Sequence, residues 1–254
     1  MSKNFELLQR AGKTREIEPP CKLEPVASPR YERRKYRRSH VPLNLDQIAR
    51  EECLRLVQQV FLLQAQDSPR VVVFAGIDHG NGCSRICVQT AEVLQANVRG
   101  SVCLVEANFR SPSLPQLFGT GNHYGLTDAL LGGGPIRSFT KPVGSVGLSL
   151  MSSGALAANS HGLLSPGLLK TRFEELRSEF DFVVVDAPPL TPYPDALALA
   201  KVTDGLVLVL EAESTRREAA VRIYEKLCAA QVRILGAVLN KRRFPIPDSL
   251  YRCL

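Results

Sequence analysis

Residues Val71 to Cys87 read VVVFAGIDHGNGCSRIC. The first five, Val71-Val72-Val73-Phe74-Ala75, have the uninterrupted apolar character of a strand buried on both faces. The chain then turns through Gly76, Gly80 and Gly82 and enters an expected helix near Ser84. Strand, glycine-rich turn and helix start form the geometry of a phosphate-binding loop. Its glycines let an anion approach the backbone, and the first free N–H groups of the helix point at it. Such loops carry a lysine in the position that here holds Cys83.

Outward from this loop the pattern alternates. Strands are expected at 71–75, 101–106, 147–151, 181–186, 205–210 and 233–239. Helices are expected at 45–63, 84–97, 114–118, 125–131, 165–179, 194–201 and 215–230, with Asp46 as a cap of the first. Runs such as Phe182-Val183-Val184-Val185 imply a sheet covered on both faces. The fold class is therefore α/β, a doubly wound, mostly parallel sheet of the P-loop NTPase type. Ligands of such sheets lie at the carboxyl ends of the strands. Two further strand ends carry polar residues there, Glu106-Ala107-Asn108-Phe109-Arg110 and Asp186-Ala187-Pro188-Pro189. A carboxylate that follows an apolar strand and faces a phosphate loop reaches Mg²⁺, directly or through water, which makes Asp186 a candidate metal partner.

The 254 residues divide into a flexible basic arm over 1–44 and one domain over 45–254. Of the net charge of +7, residues 1–40 hold eleven Lys/Arg against five Asp/Glu, so the remainder is nearly neutral. The cluster at 30–38, RYERRKYRR, fits an anionic surface such as membrane phospholipid. No RNA- or DNA-binding signature follows it, and nucleic acid is not the expected partner. The seven cysteines are odd in number and include no CxxC pair, which reads as reduced thiols without structural zinc. A helix N-terminus lowers a thiol's pKa, so Cys83 also reads as a candidate redox-sensitive thiol, second to simple replacement of a lysine. His79, His123 and His161 have no metal-ligand spacing. No apolar run reaches the ~18 residues of a membrane span, and Met1 opens a polar segment rather than a signal peptide.

The order and spacing of these segments resemble the cytoplasmic bacterial tyrosine kinases of capsule and exopolysaccharide synthesis. These kinases are relatives of the septum-positioning and partitioning ATPases with a deviant Walker A loop. The family's P-G-E-G-K-S-T loop falls on His79 to Arg85, and its D-x-D-x-R-x-P segment on Glu106 to Pro112. Its G-L-x-D-x-L matches Gly125 to Leu130. Its D-x-x-x-x-D-x-P-P matches Asp181 to Pro189, followed by Asp195-Ala196 and Asp204-Gly205. The closing G-x-V-L-N matches Gly236 to Asn240, where the family's Asn contacts the adenine base. The resemblance thus implies nucleotide binding by Gly80, Asn81, Gly82, Cys83, Ser84, Arg85 and Asn240. It places Mg²⁺ on Ser84 and Asp186, and ATP or ADP as cofactor.

Departures from the family pattern gather at the chemistry. The loop lysine is Cys83 and the threonine two positions on is Arg85. Two residues along a helix turn the side chain about 200° around the axis, so Arg85 is not expected to replace the lysine directly. The catalytic carboxylates are lengthened to Glu106 and neutralised to Asn108, while Asp186 remains. Lost charge stabilisation at a phosphoryl group costs ~10²–10⁴ in rate. The resemblance therefore implies a kinase-like regulator of exopolysaccharide or capsule polymerisation or export with weak or absent catalysis. It would be cytoplasmic, peripheral to the inner membrane, docked on the cytoplasmic segment of a membrane polysaccharide co-polymerase, and assembled as a homo-oligomer. An active ATP-dependent protein-tyrosine kinase and a membrane- or nucleoid-positioning ATPase are the alternatives. The oligomerisation motif E-x-x-R-x-x-R is kept at two of three positions in Glu52 to Gln58. A C-terminal tyrosine cluster is reduced to Tyr251.

Overall fold

The structure, a computed structural model, describes residues 45–63, 68–144, 146–155 and 165–242. The basic arm, His161, Arg243 and Tyr251 lie outside the described residues.

Seven strands form one sheet: β1 (Val71–Gly76), β2 (Val102–Glu106), β3 (Lys141–Pro142), β4 (Leu148–Met151), β5 (Phe182–Ala187), β6 (Gly205–Glu211) and β7 (Ile234–Asn240). Their order across the sheet is β3-β4-β2-β5-β1-β6-β7. Only β3 runs antiparallel to its neighbour. This two-residue edge strand was not legible in the sequence, because Lys141 and Pro142 are exposed and carry no apolar pattern. The helices are α1 (Leu45–Val57), α2 (Cys83–Asn97), α3 (Leu114–Leu117), α4 (Leu126–Leu131), α5 (Pro166–Glu179), α6 (Asp195–Lys201) and α7 (Arg217–Ala229). The first expected helix is divided. It is α-helical to Val57 and then widens into a π-helical turn, Gln58–Leu62. Among the described residues Asp46 is already helical, within the span Leu45–Val57, rather than a cap ahead of it.

Alternation along the strands builds two cores. Val71, Val73 and Ala75 of β1 face one side, with Phe173 and Leu176 of α5, Leu199 of α6 and Leu227 of α7. Val72 and Phe74 face the other, against Cys87, Ala91 and Leu94 of α2 and Phe61 of the π-turn. Since β1 is fully buried on both faces, its C-terminal end can deliver a loop to only one place, the carboxyl edge of the sheet.

The opposite edge is pinned by charge. Asp204 Oδ2 accepts the N–H groups of Arg70 and Val71 at 2.7 and 2.8 Å. Both Asp204 oxygens receive the Arg177 guanidinium, at 2.6 and 3.0 Å. Burial pushes the Asp204 carboxyl upward, but Arg177 and the two N–H donors outweigh it and hold the pKa below the ordinary value. Asp181 is likewise lowered, by the Ser101 N–H and hydroxyl that it accepts at 2.7 and 3.0 Å.

The G-L-x-D-x-L match has a packing cause. A Cβ on Gly125 would lie 1.9 Å from the Ser152 carbonyl oxygen, a backbone atom with no room to yield. The absence of that Cβ lets Leu126 N–H donate to Ser152 O at 2.8 Å. Gly125 N–H in turn donates to Asp128 Oδ2 at 2.9 Å. Gly125→Ala is expected to destabilise the domain by about 3 kcal/mol, the upper part of the range for overpacking. Urea denaturation should show the lower midpoint. A midpoint within error of the parent would show that the Gly125–Ser152 contact yields freely.

Candidate functional site

The loop between β1 and α2 is shaped by two left-handed glycines, Gly80 (φ 81) and Gly82 (φ 80). Gly82 precedes α2, which begins at Cys83, one residue earlier than its expected start. Two asparagines stiffen the loop. Asn81, 4 % exposed, accepts the Asp78 N–H at 2.8 Å through its Oδ1. Asn240, at the end of β7, donates from Nδ2 to the Asn81 carbonyl at 2.9 Å. Its amide nitrogen would stand 2.4 Å from any Cβ on Gly82. Asn240 thus buttresses the phosphate loop from behind, and this contact rather than an open amide is what the structure gives it.

A cleft of about 360 Å³ opens over the loop, walled by residues 78–85, Asn108, Ser111, Asp186 and Pro189. Among the residues singled out from sequence, Gly80, Asn81, Gly82, Cys83, Ser84, Arg85, Asn108 and Asp186 meet there. Arg85, expected to turn away, is exposed but belongs to the lining. Glu106 and Asn240 do not line it.

Glu106 is fully buried beside Asp186, its register partner across β2 and β5. Its carboxylate is engaged by its own loop. Oε2 accepts Ser113 N–H and Leu114 N–H, both at 2.8 Å, and Oε1 accepts Asn108 N–H at 3.3 Å. The longer side chain therefore folds back to cap α3. Burial, and then the Asp186 charge, push its pKa up to about 8 against those three donors. Asp186 is pushed up to about 6 by burial, opposed by Ser84, Cys83 and Cys87. One of its oxygens, Oδ1, receives the Cys87 thiol at 3.7 Å. The other, Oδ2, is buried and has no hydrogen-bond partner among the described residues.

Cys83 stands where a loop lysine would. The Cys87 thiol favours its thiolate, yet burial and the Asp186 charge prevail and the pKa rises to about 11. The group is thus a neutral thiol at pH 7. The expectation that the helix N-terminus would lower its pKa is reversed, because burial and then the Asp186 charge both disfavour the thiolate. A reactive redox thiolate is not what this geometry makes.

A cluster at the mouth joins residues that the sequence motifs held apart. Arg110 stacks over Tyr193 at 4.0 Å and pairs with Asp195 at 3.4 Å, and Tyr193 meets His79 edge-on at 5.7 Å. The motifs contained His79, Arg110 and Asp195, but Tyr193 and the grouping were not legible, because the residues come from three separate segments. Lys241, just after β7, is paired with Glu211 at 3.1 Å.

The fold is that of the P-loop NTPases, and comparison with known proteins gives the family. No protein-family model matches the chain. The tyrosine-protein kinase YwqD of Bacillus subtilis is 30% identical over 164 residues, spanning 65% of this chain and 69% of that protein. The succinoglycan biosynthesis transport protein ExoP of Rhizobium meliloti is 28% identical over 180 residues, 70% of this chain but only 23% of its own length. The kinase domain of the Escherichia coli tyrosine kinase ETK superposes with a TM-score of 0.72, covering 85% of this chain and 88% of that domain at 22% identity. The chain belongs to the bacterial tyrosine-protein kinase family. Among the described residues no helix is long and apolar enough to cross a membrane.

Proposed function

We propose that this chain binds a nucleotide at the β1–α2 loop with little or no phosphoryl transfer. It would act in exopolysaccharide or capsule polymerisation or export by binding and assembling. The observation that carries this reading is a cysteine, Cys83, at the lysine position, its sulfur within 4.8 Å of an Asp186 carboxylate oxygen.

The residues present fit a polyphosphate in part. The left-handed Gly80 and Gly82 offer a backbone cradle at a helix start. Ser84 and the partnerless Asp186 Oδ2 are suited to hold Mg²⁺, which would draw charge from the phosphates as the transferred group departs. What is missing is charge from the protein itself. Cys83 supplies none, Asn108 is neutral, and Glu106 is occupied with Ser113 and Leu114. Phosphoryl transfer depends on positioning and charge stabilisation, so the defects fall on turnover more than on docking.

The relationship to ExoP, named for succinoglycan biosynthesis and transport, supports the polysaccharide setting. A cytoplasmic segment of a membrane polysaccharide co-polymerase is the partner that this reading assigns. The basic run at 30–38 would add attraction to anionic lipid, ~1 kcal/mol per basic residue at the surface. On this reading the protein works in the cytoplasm, against the inner membrane. Glu52 and Arg55, paired at 2.8 Å on the exposed face of α1, are available for assembly of like subunits.

The test is incubation of the purified chain with Mg-ATP and detection of phosphotyrosine. The expected signal is background, and Asp186→Ala leaves it unchanged. Sustained ATP-dependent phosphorylation lost in Asp186→Ala would overturn the proposal. One observation favours a second reading, an active kinase: Arg85 lines the cleft and could stand in for the lysine. That reading requires ATP hydrolysis that falls at least ~10²-fold in Arg85→Ala, whereas the favoured one expects no hydrolysis to lose.

A further inference from the structure

Cys83 and Cys87 are four residues apart on α2, so their side chains lie on one helix face. That face meets the end of β5, and the two sulfurs and an Asp186 carboxylate oxygen all lie within 4.8 Å of one another. Cys87 Sγ is 3.7 Å from Asp186 Oδ1. A tetrahedral zinc ion with bonds of ~2.3 Å to sulfur and ~2.0 Å to oxygen separates such donors by about 3.5 Å. The sulfur–oxygen edge is therefore already near the length that a bound ion would set. Asp186 is 1 % exposed, and its Oδ2 is a buried acceptor without a partner among the described residues. The carboxylate thus keeps one oxygen that no protein donor holds, and a cation drawn to the group offsets the cost of burying it so poorly matched.

We propose that Cys83, Cys87 and Asp186 form a binding site for a thiophilic divalent cation, zinc being the first choice, at the foot of the phosphate loop. Two sulfurs and one carboxylate select zinc over magnesium, which takes oxygen donors. Cys83, Ser84 and Asp186 open onto the cleft, giving the ion a way in and leaving its fourth position toward solvent. Binding is balanced as one Zn²⁺ entering while the two thiols release their protons to water, so affinity rises with pH. The loaded site carries two thiolates and a carboxylate around a dication, a net charge of −1. It also occupies the carboxylate that Mg²⁺ would use. Zinc and a magnesium nucleotide thus exclude one another, and the substitution that removes the lysine installs a different ligand specificity.

The zinc experiment needs no nucleotide, so its failure and that of the nucleotide reading are separable. Metal-free, phosphine-reduced full-length chain is titrated with Zn²⁺ against a chromophoric chelator, and with Co²⁺ for its absorption spectrum. The expected result is one ion per chain, thiolate-to-cobalt charge transfer with tetrahedral bands, and a zinc-dependent rise in Tm. Cys83→Ser and Cys87→Ser should each weaken binding at least ~10²-fold, while Cys228→Ser, on the exposed part of α7, should not. Asp186→Asn provides a third variant that keeps both thiols, judged only if its circular dichroism matches the parent. Absence of stoichiometric binding, or binding indifferent to Cys83→Ser and Cys87→Ser, overturns the proposal.

Discussion

Stability of the protein should fall by roughly 2–4 kcal/mol as pH rises from 5 to 8, and Glu106→Gln should remove most of that fall. The cause is two carboxylates at the carboxyl edge of the sheet, Glu106 and Asp186, opposite each other in adjacent strands. Burial pushes Glu106 up to about 8 and Asp186 up to about 6. In the unfolded chain both lose their protons near the ordinary carboxylate range, so between pH ~5 and ~8 the native state holds more protons than the unfolded state. The contribution of this pair then declines with rising pH across that window, and above it the buried thiols, whose pKa values are also raised, take over the fall. Asp181 and Asp204 act in the opposite sense and elsewhere. Their pKa values are lowered, so their stabilisation is lost only as pH falls below ~4 and they leave the window flat. Glutamine keeps a carbonyl oxygen for the Ser113 and Leu114 donors and removes the titration. Urea midpoints at pH 5, 6, 7 and 8 for both proteins decide the matter. An equal slope in Glu106→Gln would mean that the pair is not the source.

Cys83→Lys should raise affinity for Mg-ATP about 10²-fold without restoring phosphorylation. A unit charge ~4 Å from a phosphate oxygen is worth about 4 kcal/mol at the effective dielectric of a protein surface. Subtracting desolvation and the ordering of a lysine side chain leaves 2–3 kcal/mol, or ~10²-fold. The lysine also meets Asp186, whose raised pKa a neighbouring cation would bring down. Turnover needs more, because Asn108 remains neutral and the Glu106 carboxylate remains on the α3 backbone. Adding Asn108→Asp to Cys83→Lys should begin to return activity, and phosphotyrosine in the single variant would show that the lysine alone was limiting.

The sequence carried the fold well because its evidence is local. Fully buried strands such as β1 and β2 are short apolar runs, and a glycine turn after β1 can be read residue by residue. Elements whose cause is tertiary were missed. β3 exists because Lys141 and Pro142 pair with Leu150 and Ser149, and the π-turn at Gln58–Leu62 places Val60 and Phe61 in the core. The site divides in the same way. The sequence named Cys83, Ser84 and Asp186 as neighbours, and the structure brings them to one cleft. It could not show that Glu106 turns back on α3, that Asn240 supports Asn81, or that Cys87 reaches Asp186. Each of these depends on where a side chain points, which strand periodicity does not encode. The carboxylates of the D-x-x-x-x-D match separate for that reason: Asp181 ties the amino edge to Ser101, and Asp186 faces the loop.

On the proposed reading the cradle of this loop is intact while its charge is gone. Calorimetric titration of the metal-free wild type and of Cys83→Lys with Mg-ATP and Mg-ADP tests it most directly. Weak but saturable binding is expected for wild type, and binding ~10²-fold tighter for Cys83→Lys. Tight binding of Mg-ATP by the wild type, unchanged or weakened by Cys83→Lys, would contradict it.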